Sequence, residues 1–216
     1  MLKKVIITFC LLVIAAFLFW SSVSIQRIFY EAVFSVEQYS MQNEYLVMAV
    51  FIALAALSAL LSPFSSAPFV PIGVILWGNL ATSIFLFFGW IIGEIAAYFI
   101  GYYLGYPLVS QIISSEKIAY FKNKIPKGSE FLLVLLFRFS MPAEIPGYVL
   151  GIAKYNFWKY LLATALAELP FALITGYAGG ALIDNKPVVF LGLIAFGFLT
   201  ISSMFYVFNK KLTHQQ

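Results

Sequence analysis

Four ionisable side chains stand within apolar stretches of this sequence, and their chemistry is that of a charge or proton site inside a membrane. They are Glu94, Arg138, Glu144 and Glu168. A charge near the centre of a bilayer costs roughly 2.5–3.5 kcal/mol, so such residues need partners or water and are functional by default. We therefore predict that these four residues bind the substrate or a coupled ion.

Arg138 has two interpretations. Its planar guanidinium fits a lipid head group or a carboxylate, which makes it a candidate clamp. Alternatively, its long side chain reaches from a shallow hairpin to the cytoplasmic interface. Glu144 follows six residues later and is a candidate partner across a turn, in which case the pair would be structural.

Glu94 and Glu168 also have two interpretations, which do not exclude each other. An ionised carboxylate is costly to bury in an apolar medium, so each residue is a candidate to carry a proton. Alternatively, both are neutral and bind backbone groups that nearby prolines have freed from helix hydrogen bonds.

Two proline-rich interruptions should position these side chains. Proline removes a backbone donor and breaks a helix, and the residue before it leaves helical geometry. A non-helical backbone inside a bilayer is tolerated only where protein buries it or where it lines a watery cavity. The predicted breaks lie at Pro68 and Pro71 in the first segment and at Pro142, Pro146 and Gly147 in the second.

The composition identifies the class of protein. Hydrophobic residues make up 62% of the chain and charged residues 10%, against about 25% charged residues in ordinary soluble domains. We predict an all-α integral membrane protein, whose net positive charge reflects membrane orientation and not a nucleic-acid partner. The chain has one cysteine, Cys10, and one histidine, His214. We therefore expect no metal site, no cofactor and no enzymatic activity.

Apolar and polar stretches divide the chain into three regions. Residues 1–44 hold an N-terminal transmembrane helix and an amphipathic interfacial connector, and residues 183–216 hold a C-terminal transmembrane helix and a basic tail. The first apolar run, Val5 to about Val23, is long for a cleaved signal peptide, so we interpret it as a retained span. The central region, 45–182, comprises a hairpin (45–79), a span (80–106), a basic cytoplasmic segment (107–130), a second hairpin (131–152) and a span (157–182).

The placement of lysine and arginine predicts the orientation. With a cytoplasmic N-terminus, only Arg27 and Lys186 fall outside, and Arg138 lies within the bilayer. This arrangement requires that both interrupted segments are re-entrant, the first from the outside and the second from the inside. We therefore predict a multi-pass protein of the cell (inner or plasma) membrane with both termini in the cytoplasm.

The two halves of the central region resemble each other. In each half a proline break is followed by a span with one glutamate: Glu94 lies sixteen residues after Gly78, and Glu168 lies seventeen after Gly151. Opposite entry sides make this an inverted repeat, an architecture in which transporters place their site between broken segments. A chance match in so apolar a chain is the alternative. We predict an inverted repeat of two re-entrant helical hairpins, each followed by a transmembrane helix.

Glycine pairs four residues apart recur along these segments. Small residues let helix backbones approach closely, which favours helix association in lipid. We predict a packing role and not a nucleotide-binding role, because the chain has no GxGxxG motif and no P-loop. The glycines concerned are Gly89, Gly93, Gly101, Gly105, Gly147, Gly151, Gly176 and Gly180.

Two long stretches carry a resemblance to a known family. The first, GWIIGEIAAYFIGYYLG at 89–105, has the order G-x3-G-[DE]-x3-Y-x2-G-x3-G, and the second runs from FRFSMPAEIPG to ITGYAGG at 137–180. In these stretches the chain resembles the DedA/VTT membrane protein family, over about residues 45–182. The resemblance implies two opposed re-entrant hairpins and movement of lipids between leaflets, either polyprenyl-phosphate carriers or phospholipids.

The chain departs from the family pattern at two positive charges. Glu144 stands where many DedA proteins carry a second arginine, and Tyr102 stands where arginine often follows the third glycine. Proline also follows Arg138 by four residues, where three is commoner. These departures weaken the expectation of a phosphate substrate and favour a different head group.

These observations predict a membrane lipid transporter or scramblase. A polar groove between the two hairpins would carry a phospholipid or polyprenyl-phosphate head group from one leaflet to the other, with a coupled proton as an open addition. The alternative is a membrane scaffold or assembly protein that binds lipids or partner helices without transport. The expected partners are membrane lipids and protons, and a homo-oligomer formed through the glycine faces stays open.

Overall fold

The computed structural model describes residues 23–61, 65–112, 131–141 and 144–213. Several predictions lie outside these residues: the first span as far as residue 22, Pro142, and residues 113–130 of the basic segment. The described residues form six α-helices and a short 3-10 helix at Ala67–Phe69, with no strand among them. The helices are α1 (Val23–Leu60), α2 (Val70–Ile112), α3 (Phe131–Ser140), α4 (Glu144–Ile152), α5 (Phe157–Ile183) and α6 (Pro187–Thr213).

Four of the described segments are long and apolar enough to cross a membrane. They are Asn43–Leu60, Ala67–Gly105, Phe157–Ile183 and Pro187–Lys211. An α-helix needs about 20 apolar residues to span a bilayer. The prediction of an all-helical membrane protein is thereby confirmed, while the re-entrant paths and the inverted repeat stay predictions.

The chain forms two compact units, residues 1–47 and 48–216. The described part of the first unit is helical, so the predicted connector at 24–44 is a helix. Its backbone is non-helical at Asn43, where φ is −143° and ψ is 54°. All the features that follow belong to the second unit.

Helix α2 is broken by a glycine shortly after it begins. Gly78 has φ 77° and ψ 172°, a conformation that is essentially restricted to glycine. The hydroxyl of Thr82, one turn later, donates to the Gly78 carbonyl at 2.8 Å. The break divides α2 into a short arm, residues 70–77, and a long span, which suits a bilayer better than one straight helix of 43 residues.

The described prolines of the two predicted breaks lie at the starts of helices. Pro68 is in the 3-10 helix, Pro71 is the second residue of α2, and Pro146 is the third residue of α4. Proline is tolerated there because the first N–H groups of a helix have no intrahelical partner. We expected Gly147 in the second break, but the helix resumes at Glu144, so Gly147 lies inside α4. There the missing side chain allows α4 to pack against Glu94 and Ala97 of α2.

The short arm of α2 folds back against the end of α1. The rings of Phe51 and Trp77 meet edge to face with their centroids 5.5 Å apart. A Cβ added at Gly73 would lie 2.9 Å from the Phe51 ring. Gly89 and Gly93 bring the long part of α2 against the backbone of α1, with Ala55 and Ala56 as their nearest neighbours.

Glycines also set the contacts of α2 with α4 and α5. Gly101 faces the Tyr148 carbonyl, and Gly151 faces the Tyr98 carbonyl, so α2 and α4 meet backbone to backbone. These contacts are consistent with the predicted packing role. On α5, Gly176 and Gly180 instead make room for the side chains of Ser83 and Asn79 of α2. Gly105 differs, because its φ of 65° marks a second kink in α2.

Candidate functional site

A buried arginine joins two helices at the centre of the second unit. Arg138 lies in the last turn of α3, and its side chain is fully buried. Its Nη1 atom lies 2.9 Å from Oε2 of Glu94 on α2. Its Nη2 atom donates to Oε1 of Glu168 on α5 at 2.6 Å. Three of the four ionisable residues predicted from the sequence therefore form one cluster, which we call the charged triad.

Tyr160 holds the Glu94 side of the triad. Its hydroxyl donates to Oε2 of Glu94 at 2.8 Å and lies 2.9 Å from the Glu94 carbonyl oxygen. The ring of Tyr160 stacks on Tyr98 with centroids 4.8 Å apart. The Cζ atom of Arg138 is 5.9 Å from the centroid of the Tyr160 ring, which is the range of a cation–π contact. Glu94 Oε2 is thus fixed by two donors from two different helices.

Helix α4 closes the same side of the triad. A Cβ added at Gly147 would lie 2.7 Å from Glu94 Oε2 and 2.9 Å from the Ala97 side chain. Only a residue without a side chain lets α4 come this close to the carboxylate. Together with Tyr160, this contact seals Glu94 inside the protein.

The two carboxylates of the triad differ in exposure. The Glu94 side chain is 0% exposed, whereas the Glu168 side chain is 10% exposed. The exposed part of Glu168 faces a cavity of about 260 Å³ that also contacts Arg138. The triad therefore has one sealed end and one open end.

The cavity combines hydroxyl groups with aromatic rings. Ser58, Ser65 and Ser66 contribute the hydroxyls, and Trp90, Phe139 and Phe171 contribute the rings. Trp90 Nε1 donates to Ser66 Oγ at 3.3 Å, which links α2 to the segment before its first turn. Arg138 and Glu168 are the charged residues among the described lining residues. Such a mixture of apolar walls with a few polar groups is typical of a ligand site.

Buried ion pairs of this kind are expensive to form. Moving two charges out of water costs several kcal/mol per ion, and only good geometry with further hydrogen bonds offsets that cost. The triad has this geometry at both carboxylates, while Oε1 of Glu94 has no hydrogen-bond partner among the described residues. Within the described ranges, no group of three or more His, Cys, Asp or Glu residues is arranged to hold a metal ion.

The structure decides where the charged end of Arg138 lies. Its guanidinium is buried between two carboxylates, whereas a side chain reaching the interface would expose its charged end. Glu144 begins α4, but its side chain lies outside what the structure describes. The pairing of Arg138 with Glu144, the proton-carrying roles and the head-group clamp therefore stay predictions.

Sequence reasoning missed Tyr160 and the aromatic cavity wall. A signal for Tyr160 was present, because Tyr160, Thr164 and Glu168 recur every four residues and so share one face of a helix. Apart from that spacing, nothing in the sequence distinguishes Tyr160 from the many other aromatic residues of the chain. No comparable pattern points to Ser66, which reaches the cavity through the fold of the first break.

A family model described as the VTT domain matches residues 62–181. The match covers more than half of the chain. It includes both proline-rich interruptions and all three residues of the charged triad. No curated protein and no solved structure is significantly similar to the chain.

Proposed function

Because the chain belongs to the VTT domain family, we propose that it is a membrane lipid transporter or scramblase. The head group of a lipid would enter the cavity beside the charged triad while its tails remain in the bilayer. This proposal includes a cell-membrane location with both termini in the cytoplasm.

One observation carries the proposal: a charged triad ends at a cavity inside an otherwise apolar helical protein. Ionisable residues within membrane segments are rare and usually line a substrate or ion path. A purely structural triad would be expected to be sealed on all sides, as Glu94 is. Glu168 instead faces a cavity with three serine hydroxyls, which offers a head group polar contacts that lipid does not.

The contacts of the short arm of α2 support a first hairpin that enters the membrane and returns to the same face. Phe51 on α1 contacts Trp77 on the returning arm. Gly179 on α5 faces Val70 and Val74 of the same arm. The arm thus lies beside the C-terminal half of α5, which precedes the turn at Asp184.

Contacts on the other side support an opposed second hairpin. Gly151, near the end of α4, faces Tyr98 on α2, and the ring of Phe137 on α3 stacks on Phe208 near the end of α6, with centroids 5.7 Å apart. In an antiparallel pair, the end of α6 and the start of α5 lie at the same face. Two hairpins reaching inward from opposite faces would meet near Arg138, which is the geometry of inverted-repeat transporters.

Proton coupling is part of the proposal. The triad contains two carboxyl groups and one guanidinium, so it is electrically neutral when one carboxyl group holds a proton. An unbalanced charge is costly in a buried site. Release of Glu168 from Arg138 would then be accompanied by uptake or loss of that proton.

The proposal is tested by reconstituting the purified protein into liposomes that carry a tail-labelled fluorescent phospholipid. A membrane-impermeant reductant removes the label of outer-leaflet lipid, so faster transfer appears as a larger bleached fraction. We expect transfer with the wild type, and at least a severalfold loss with Glu168→Gln and with Arg138→Gln.

The matched control is Asp184→Asn, which removes a carboxylate from an exposed ion pair with Lys186. This variant should transfer lipid at the wild-type rate. A wild-type protein that is folded, as judged by its helical circular dichroism, but moves no lipid across a panel of head groups would overturn the proposal in favour of a scaffold.

A further inference from the structure

We propose that the cavity selects a lipid head group bearing an ammonium group over one that offers only an anionic phosphate. This inference rests on the lipid-transport function proposed above and names its substrate class. It follows from the way in which the triad distributes charge toward the cavity.

Arg138 already has carboxylate partners at both terminal nitrogens. Nη1 faces Glu94 at 2.9 Å and Nη2 faces Glu168 at 2.6 Å. Both distances are those of strong charge-assisted contacts. A phosphate that approached either terminal nitrogen would come up against a carboxylate of the same charge sign.

The cavity faces the carboxylate end of the triad. The Arg138 side chain is 0% exposed, whereas that of Glu168 is 10% exposed and is the charged surface that a ligand meets first. The triad sums to zero or to one negative charge, depending on whether it holds a proton. In neither state does it present net positive charge to the cavity.

The remaining walls suit a cation. Trp90, Phe139 and Phe171 line the cavity, and the faces of aromatic rings attract ammonium groups. The rings of Phe139 and Phe171 lie with their centroids 6.0 Å apart, so the two rings are neighbours in the cavity wall. The serine hydroxyls add oxygen acceptors for ammonium N–H groups. Charge, rings and acceptors therefore favour the same class of head group.

The test uses two tail-labelled lipids with identical acyl chains, phosphatidylethanolamine and phosphatidylethanol. Both carry a phosphate, and they differ by the ammonium group. In wild-type proteoliposomes we expect phosphatidylethanolamine to transfer about fivefold faster, the effect of one favourable cation contact. Each rate is measured by reductant bleaching and corrected for protein-free liposomes.

Two variants connect the preference to the cavity. Glu168→Gln should bring the ratio of the two rates toward one, because it removes the carboxylate that the ammonium group would approach. Phe171→Leu should lower the ratio as well, while it keeps an apolar wall and the triad. Asp184→Asn should leave the ratio at its wild-type value.

The outcomes separate this inference from the function on which it rests. If neither lipid moves with the wild type or with any other head group, the transport proposal fails. If both lipids move equally, or phosphatidylethanol moves faster, transport stands and the ammonium preference is wrong. The comparison of the two lipids needs the wild type alone, so it decides the preference even if Glu168→Gln does not fold.

Discussion

Tyr160 donates a hydrogen bond to Glu94 at 2.8 Å across 66 residues of sequence. The bond joins α5 to α2 at the level of the charged triad, and both residues are fully buried. Tyr160 and Arg138 contact the same carboxylate oxygen, so the tyrosine helps to hold Glu94 in position for the arginine.

The first prediction concerns this hydrogen bond. Tyr160→Phe removes a donor to a buried carboxylate, so we expect a loss of about 1–3 kcal/mol in the free energy of unfolding. Thermal unfolding in detergent should show a lower midpoint than for the wild type.

Tyr155→Phe is the matched control for that substitution. The Tyr155 hydroxyl is buried and has no hydrogen-bond partner among the described residues. Its removal should leave the midpoint unchanged or raise it slightly. Equal midpoints for the two variants would contradict the role assigned to Tyr160.

The second prediction concerns the charge balance of the triad. Arg138→Gln leaves two buried carboxyl groups without their cation, which should destabilise the protein by about 3–5 kcal/mol. Replacing Glu94 and Glu168 by glutamine in the same chain removes the unbalanced charge. We expect the triple variant to unfold at a higher temperature than Arg138→Gln alone, as measured by the same thermal assay.

Additive losses would argue against this account of the triad. Residues in one ion network normally show coupling of about 0.5–3 kcal/mol. If the triple variant is less stable than Arg138→Gln by the sum of the two glutamate effects, the three side chains do not act as a unit.

The third prediction concerns the contact between α4 and Glu94. In Gly147→Ala the new Cβ would lie 2.7 Å from Glu94 Oε2, and relieving that overlap should cost about 1–3 kcal/mol. We expect a lower unfolding midpoint for this variant. The control is Gly192→Ala on α6, where an added Cβ meets nothing within 4 Å, so its midpoint should not fall.

The fourth prediction concerns the break in α2. At Gly78 an added Cβ also meets nothing within 4 Å, but φ is +77°. Gly78→Ala should therefore cost about 1–3 kcal/mol through backbone strain alone. A midpoint equal to that of Gly192→Ala would show that the break tolerates an ordinary residue. The measurement is again thermal unfolding, with circular dichroism to check that helix content is retained.

The fifth prediction concerns membrane topology. In a chain with Cys10 replaced by serine, single cysteines are introduced at Tyr45, Leu80, Lys154 and Lys186. We expect an impermeant maleimide to label Tyr45→Cys, Leu80→Cys and Lys186→Cys from the outside, and Lys154→Cys only after permeabilisation. Labelling of Tyr45→Cys and Leu80→Cys from different sides would rule out a re-entrant first hairpin.

Charges could be predicted as special from the sequence because an apolar chain has few of them, and prolines because each interrupts helix hydrogen bonding. Glu94, Arg138 and Glu168 were identified this way, and the structure brings them together. The glycine pairs were equally visible, since a missing side chain matters wherever helices must touch. Charges, prolines and glycine pairs can be recognised within a single apolar segment, without knowing which helices will be its neighbours.

The partners within the site could not be predicted in the same way. Nearness in sequence made Glu144 one candidate partner of Arg138, a pairing that the described side chains do not test. No local pattern pointed to Glu168, 30 residues away, which the structure pairs with Arg138. Which carboxylate reaches the guanidinium depends on helix crossings that no local pattern encodes. A polar groove was predicted, but its lining was missed for the same reason, because the cavity walls come from separate segments that are far apart in the sequence.

The glycine contacts have a consequence for motion. Where α2 meets α4 at Gly101 and Gly151, the two helix backbones touch with no glycine side chain between them, so this contact has no rotamer to adjust. Sliding of α2 past α4 would bring the two backbones into collision, because close-packed atoms leave no free space to move into. We therefore expect these two helices to move as one body.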